Sequence, residues 1–572
     1  MNSFFNIKKG ERAAECGAKR AKNKTSTPSL RGGGMGVGVK NIKPTLFFLS
    51  ILLIIYFLIA GHNNADWDLW ARLAVGKIFF TTGHILKQDI FAYTQTKPIW
   101  IDHEWLSGVV FYYLVDKFGD LGLSLLKAVL MFSVFFSIFK LNQLKFPEQN
   151  HYRIIYYAFF LYAILFGFLT TVQSHCFTFA FFALWMYLFE LIKRGNNRLI
   201  WIFPATMVLW ANLHGGFFAG LGLVFLYTIG EAINRRKFAK YIVILGVSTL
   251  ATLINPYGIK YLPYLIEAVT MKRPFLTEWM PLNLFGSFSV AFGFKIFALF
   301  TLFSLLYVLM KRQKEINWSE ILILCATFWV SLQHIMHNIF FIIAAAGYIT
   351  GYLHQAFDFC TTVIARRVAD STRQSKLLNR LLRQCFAPPR NDTSSKIKTG
   401  IKSLTDFIIY SLIILIGTLT IHFVPLKVKV DNKQFPVRAV KFIQQNNLSG
   451  NLLVLFNWGS YALWQLHPQC LVAVDGRYDG VYPESLISEV ARFHYVGKNW
   501  NELMTKYHTD IILMNTDYAV YNKLIMLDDW RVVYKDDTSA VFIPITKNRE
   551  HWIMPDEKFD INNQKFKTRI LN

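Results

Sequence analysis

The sequence predicts a polytopic α-helical membrane protein of about eleven spans, carrying a small extracytoplasmic α/β domain at its C-terminal end. Three observations predict it. Long blocks rich in Phe, Leu and Ile fill most of residues 44–353, and only 17% of the chain is charged, below the roughly one quarter of ordinary globular domains. Lys and Arg gather in short segments between those blocks, where such residues set topology. After residue 425 short apolar runs alternate with helical stretches, the texture of a packed α/β domain. The net charge of +25 would suit a nucleic-acid binder, but the confinement of the basic residues between apolar blocks excludes it. The six cysteines show no paired spacing, which argues against a zinc site or a disulfide framework.

In order, residues 1–43 are polar, basic and Gly-rich, and read as a disordered cytoplasmic tail. Pro44–Gly61 is apolar and long enough to cross, so it reads as a retained signal-anchor. With the tail inside, the alternation of the rest is fixed. The first external loop is 62–105. Leu106–Val115 is too short to span and predicts an interfacial helix. The remaining spans are Leu121–Phe139, Ile154–Thr171, Phe177–Ile192, Leu199–Leu209, Phe217–Ala232, Tyr241–Leu253, Ser289–Met310, Ile321–Leu332, Ile339–Leu353 and, after a basic cytoplasmic insertion at 357–402, Leu404–Val424. The membrane domain is then 44–424 and the periplasmic domain 425–572. This alternation puts the Lys/Arg clusters on one side and every polar motif on the other.

Those motifs carry the candidate chemistry. Asp66 and Asp68 stand one apart before a helix starting near Leu69. They can both reach a divalent cation such as Mg²⁺ or Mn²⁺, which prefer hard oxygen ligands. One can instead act as general base on an acceptor hydroxyl. The plain alternative is that they cap the helix. Glu104, between His103 and Trp105, is a second carboxylate with the same capping alternative. Trp70 and His103 join it as substrate contacts. His175, His214, His334 and His337 fall at the outer ends of four spans, where they can bind phosphate or a metal, or simply be wetted side chains. Asn212-Leu213-His214-Gly215-Gly216 lets a ligand approach the backbone. Glu278-Trp279 suits a sugar or lipid headgroup. In the C-terminal domain Asp475-Gly476-Arg477 follows a strand, where α/β domains place ligands. Arg477 suits phosphate or carboxylate; the alternative is a turn closed by an Asp475–Arg477 contact.

Asp66-Trp67-Asp68, followed by Arg72-Leu73-Ala74-x-Gly76 and Gly83, resembles the opening of GT-C fold membrane glycosyltransferases. These take sugars from polyprenyl-phosphate donors and carry an acidic catalytic motif in their first external loop. The series through His103-Glu104-Trp105, Asn212-Leu213-His214-Gly215, Asn255-Pro256-Tyr257-Gly258 and Glu278-Trp279 is similar to a group of bacterial GT-C-like membrane proteins. Asn457-Trp458-Gly459-Ser460-Tyr461 is similar to a segment of the external domain of oligosaccharyltransferase catalytic subunits, with Gly459-Ser460 in place of the acidic centre. The resemblance implies that Asp66 and Asp68 form the acidic motif, that Arg72 lies near the donor phosphate, and that Glu104 is a further acid. It implies a hexosyl- or pentosyltransferase of the bacterial inner membrane. Its partners would be membrane lipids, a polyprenyl-phosphate sugar and a lipid, glycan or protein acceptor. The alternative is a non-catalytic transporter or assembly protein for envelope polysaccharide. A transporter would place ionisable groups mid-span, whereas here they lie at span ends.

Overall fold

The computed structural model describes residues 44–147, 154–270, 277–287, 289–373, 426–547, 551–556 and 560–564. The expected N-terminal tail (1–43), most of the basic insertion and the expected span Leu404–Val424 lie outside the described residues. The described residues fall in one compact unit.

Helix α1 (Pro44–Gly61) is apolar on all sides, as a membrane span should be. Two short helices follow, α2 (Leu69–Thr82) and α3 (Trp105–Phe118). The first ends where Gly83 takes a left-handed conformation with φ of 71°. These two helices touch backbone to backbone. A Cβ on Gly76 would lie 2.2 Å from the Gly108 carbonyl oxygen, and one on Gly108 would lie 2.6 Å from that of Arg72. The close approach brings Arg72 to the loop that precedes α3.

The bundle continues through α4 (Asp120–Lys145), α5 (Ile154–Ile164), α6 (His175–Lys193), α7 (Ile202–Leu213), α8 (Phe217–Ile233), α9 (Ala239–Ala251), α10 (Tyr261–Thr270), α11 (Phe292–Lys311), α12 (Trp318–Gln333), α13 (Asn338–Tyr348) and α14 (Thr350–Arg373). Among the described residues four helices (α1, α4, α6 and α11) are long and apolar enough to cross a membrane, and a fifth span is possible if the pair 335–348 and 350–364, bent by 62°, counts as one. The protein is multi-pass, but the expected count of about eleven is not confirmed. The apolar stretches at 154–168, 217–233, 239–251 and 318–333 are helical but shorter than the roughly twenty residues a bilayer core requires. Helix α14 runs on to Arg373, into the basic stretch that begins at 357.

The C-terminal region carries α15 (Val437–Gln445), α16 (Phe456–Leu466), α17 (Glu484–His494), α18 (Glu502–Lys506) and α19 (Ala519–Leu524) around a five-stranded sheet. Its strands are β1 (Gly450–Val454), β2 (Cys470–Val472), β3 (Ile511–Asn515), β4 (Trp530–Lys535) and β5 (Ser539–Pro544), in the order β2-β1-β3-β5-β4. Strands β2, β1 and β3 are parallel, with Leu452 opposite Ile511. Strand β5 runs antiparallel to both β3 and β4. All five strands overlap the short apolar runs of the sequence after residue 425, Leu452–Phe456, Leu471–Val474, Ile511–Met514, Val532–Tyr534 and Ala540–Ile543. Helix α16 was not expected: the run Leu452–Phe456 reads as one strand, but the strand stops at Val454 and the chain turns into helix at Phe456.

The first loop, 62–105, joins this sheet. Ala92 bridges to Val472 at the free edge of β2, Val472 N–H donates to the Phe91 carbonyl at 2.9 Å, and Lys97 N–H donates to that of Val481 at 2.8 Å. Covering a sheet edge satisfies backbone groups that would otherwise be open to pairing, and here it fixes the α/β domain over the loop.

Candidate functional site

The start of the first loop is tied down before it reaches the carboxylates. Asn63 donates to Ser124 Oγ at 3.0 Å and to the Lys427 carbonyl at 3.1 Å. Ala65 N–H donates to the Lys429 carbonyl at 2.7 Å, and Thr171 N–H to that of Asn64 at 2.6 Å. Lys127, fully buried on α4, donates to the carbonyls of His62 and Thr170. Three chain segments, α4, residues 170–171 and residues 427–429, therefore hold the approach to Asp66.

Asp66 is buried and its Oδ2 accepts the Asp68 N–H at 3.0 Å. Asp68 stands at the N-cap of α2 but its side chain makes no capping hydrogen bond. Glu104 occupies the same position on α3, again without a side-chain cap. Neither carboxylate is spent on its helix. The Asp68 side chain opens to water although protein encloses it on most sides. That enclosure first, then the like charges of Asp66 and Glu104, push its pKa well above the ordinary carboxylate value.

Glu104 meets the opposite fate. Burial works against its ionised form, yet His103, Arg72 and His214 together hold its pKa well below the usual range. Its Oε1 lies 3.6 Å from His103 Nε2 and 3.4 Å from His214 Nε2, and its Oε2 lies 3.6 Å from Arg72 Nε. His214 Nδ1 accepts the Gly216 N–H at 2.9 Å and faces Thr178 Oγ1 at 2.8 Å. Its proton therefore sits on Nε2, toward Glu104. Burial depresses the His214 pKa to about 3, so the ring is neutral. His103 differs: burial opposes its charge, but the adjoining Glu104 and Asp102 raise its pKa above normal. Its Nδ1 is 2.6 Å from the Tyr264 hydroxyl.

Arg72 sits at the back of this cluster, buried, with Nη1 donating to Asp102 Oδ1. The Asp102 N–H donates to the Tyr257 hydroxyl at 3.0 Å, so the Asn255-Pro256-Tyr257-Gly258 motif buttresses the loop. His175 Nε2 donates to the Gly167 carbonyl at 2.9 Å, and its ring centre is 6.3 Å from that of His214. Glu278 opens to solvent on a short helical turn. Burial among neighbouring atoms raises its pKa, His175 opposes the shift and Asp66 adds to it. The expected residues Asp66, Asp68, His103, Glu104, His175, His214 and Glu278 thus share one electrostatic neighbourhood.

Other expected contacts are placed elsewhere. Trp70 is no substrate contact: it is 1% exposed, packed edge-on against Phe435 and Tyr461. Asn212 spends its amide locally, accepting from Trp105 Nε1 at 2.8 Å and donating to the Val208 and Ile254 carbonyls. With Trp105, Leu106, Leu209 and Pro256 it lines a shallow apolar groove of about 370 Å³. His334 and His337 flank the Trp279 ring, with His334 Nδ1 2.7 Å from the Trp279 carbonyl; they shape the Glu278 turn. Arg477 has no free face for a ligand. Nε and Nη2 reach Asp475 at 2.7 and 2.6 Å, Nη1 reaches Asp89, and the guanidinium lies between Phe91 and Trp100. Asp475 also accepts from the Tyr482 hydroxyl at 2.5 Å. The contact expected as the alternative at this turn is the one present.

Asp102, Tyr264, Thr178 and Asp89 were not among the expected residues. Only Asp102 had a local signal, its place beside His103-Glu104. A last contact spans the two halves: a Cβ on Gly476 would lie 2.6 Å from Asp68 Oδ1.

No family model matches the sequence, and no curated protein matches it. Among solved structures the chain is similar to the Archaeoglobus fulgidus oligosaccharyltransferase tethered with an acceptor peptide containing the NVT sequon, at 11% identity and a TM-score of 0.50, covering 82% of this chain and 69% of that one. ArnT from Cupriavidus metallidurans bound to undecaprenyl phosphate aligns at 13% identity and a TM-score of 0.40, covering 87% and 97%. The fold is GT-C-like. A multi-pass helical bundle joined to an α/β domain, with ionised and neutral groups crowded between them, is the class this protein falls in.

Proposed function

We propose that the protein is a membrane glycosyltransferase that moves a sugar from a polyprenyl-phosphate donor to a hydroxyl of a lipid, glycan or protein acceptor. One observation carries the proposal: Asp68, making no cap bond to its helix, lies in the field of Asp66, Glu104 and Glu278 and against Gly476 of the α/β domain, and Glu104 in turn faces His103 and His214. The aligned ArnT is bound to undecaprenyl phosphate and the aligned oligosaccharyltransferase to an acceptor peptide, which fits a lipid-phosphate donor and a separate acceptor. A donor whose tail stays in the bilayer must react at such a membrane-level loop. We place the site on the periplasmic face of a bacterial inner membrane, as the basic clusters imply. The transferred sugar is a hexose or pentose.

Asp68 is the proton acceptor. The acceptor oxygen bonds to the anomeric carbon, its proton passes to Asp68, and the bond from that carbon to the phosphate oxygen breaks with its electron pair on the polyprenyl phosphate. Glu104 is too firmly ionised to trade protons and acts instead as a fixed charge that sets Asp68 and His103. His103, whose hold on a proton Glu104 and Asp102 strengthen against burial, suits the growing charge on the departing phosphate. Arg72 is committed to Asp102 and positions rather than binds.

Asp66, Asp68 and Glu278 offer the hard oxygens that Mg²⁺ or Mn²⁺ takes. Among the described residues no three His, Cys, Asp or Glu side chains are arranged to grip an ion unaided, so phosphate oxygens and water would complete its shell. When bound, such a cation supplies positive charge to the leaving phosphate.

The test is a transfer assay in lipid with radiolabelled polyprenyl-phosphate sugars and a membrane-lipid and glycan extract, with and without EDTA. Label reaching acceptor with the natural protein but not with Asp66→Asn or Asp68→Asn is the expected result. Donor binding without transfer for every sugar tried would overturn it in favour of a carrier.

A further inference from the structure

We propose that the α/β domain completes the catalytic centre, with Gly476 as the positioning residue that fixes the Asp68 carboxylate. The proposal rests on Asp68 as proton acceptor. Gly476 has no positive φ, so conformational freedom does not explain a glycine there. Space does. A Cβ would meet Asp68 Oδ1 at 2.6 Å, Ser460 Oγ at 3.1 Å and Asp68 Cγ at 3.9 Å. The volume a side chain would fill is taken by the Asp68 carboxylate.

The turn cannot retreat. Beneath it, Arg477 is locked to Asp475 and to Asp89 of the same first loop that carries Asp68, with Phe91 and Trp100 on its faces. On its other side, Gly476 N–H donates to Ser460 Oγ at 3.1 Å, and Ser460 is 1% exposed on α16. A Cβ on the preceding glycine of that helix, Gly459, would lie 2.0 Å from the Val474 carbonyl oxygen, so α16 and the turn are pressed together. The buried Trp70 links α16 to α2 through Tyr461. The segment around Ser460 therefore acts through the Gly476 backbone on Asp68, rather than by offering an acid of its own. The arrangement sets the Asp68 carboxylate against the turn, with Oδ1 in the space a Gly476 side chain would need, while the Asp68 N–H is held by Asp66.

Gly476→Ala is a sharp test, because the added methyl strikes the end of a flexible side chain and not backbone. The fold should survive while the carboxylate moves. With the same polyprenyl-phosphate sugar, kcat should fall about tenfold to a hundredfold, KM for the donor should hold, and the acid limb of the pH–rate profile should shift because Asp68 changes its distance from Asp66 and Glu104. Gly480→Ala is the control: its Cβ would meet only Trp100 Nε1, at 3.8 Å, and full activity is expected. Should Gly476→Ala lower the unfolding temperature, Ser460→Ala gives a second arm. It releases the Gly476 N–H without adding an atom, and should lower kcat with KM kept. Wild-type kcat and pH profile in the folded Gly476 variant, or wild-type kcat in Ser460→Ala where that arm is needed, would overturn the positioning role. Asp68→Asn run alongside separates the two ideas: if it keeps activity, the proton-acceptor assignment falls as well.

Discussion

Arg72 and Arg477 each lie between two carboxylates, and they are held in opposite ways. Arg477 has Nε and both terminal nitrogens engaged, its partners Asp475 and Asp89 are buried, and two aromatic rings close its faces. Arg72 has one tight partner, Asp102, while its Nε is buried without a hydrogen bond, 3.6 Å from Glu104. Glu104 has three cationic or polarisable neighbours within 3.4–3.6 Å and none at ordinary hydrogen-bond distance. A cluster with every donor satisfied has nothing left to offer a substrate. A cluster with slack can tighten when substrate arrives, as catalytic contacts commonly do. The same residue types thus make a clamp in one place and a cluster with slack in the other.

The comparison can be broken from either side. The largest effect is expected at Asp68: Asp68→Asn should reduce transfer by about a hundredfold or more with an unchanged unfolding temperature, read as initial rate and thermal melt of one preparation. Next, Arg477→Met should destabilise the protein by about 3–5 kcal/mol, because two buried carboxylates lose their cation. An unchanged melting curve would show that the clamp is not structural. Glu104→Gln sharpens the contrast through pH. Transfer needs ionised Asp68, so the rate is lost as pH falls through its raised pKa. Removing the like charge of Glu104 lowers that pKa, and the acid limb should move to lower pH. The smallest effect is expected for Tyr264→Phe, which deletes one hydrogen bond to His103. Its cost of about 1 kcal/mol corresponds to about fivefold in kcat.

Much of the architecture was legible in local pattern. The apolar blocks and the basic segments between them define a multi-pass bundle, because lipid and charge act on a helix wherever it packs. The alternation after residue 425 marks the sheet, since strand and helix periods are properties of short windows. The span count was less legible, because the helices at 217–233, 239–251 and 318–333 are apolar yet short, and length alone cannot distinguish a tilted span from a buried core helix. In the site, the Asp66/Asp68 pair and His103-Glu104 stood out as polar groups crowded at span ends.

By itself, then, the sequence determined the class of the protein and the loop that carries its carboxylates, since both follow from composition and short-range order. Only the tertiary structure decided which charges are spent and which remain. Asp102 takes Arg72, Asp89 takes Arg477 from 388 positions away, Trp70 turns inward to Tyr461, and Gly476 comes to rest against Asp68. Each is a contact between residues far apart in sequence. Its existence depends on how helices and sheet pack, and the packing is fixed by the sum of the buried surface rather than by any residue's own neighbours.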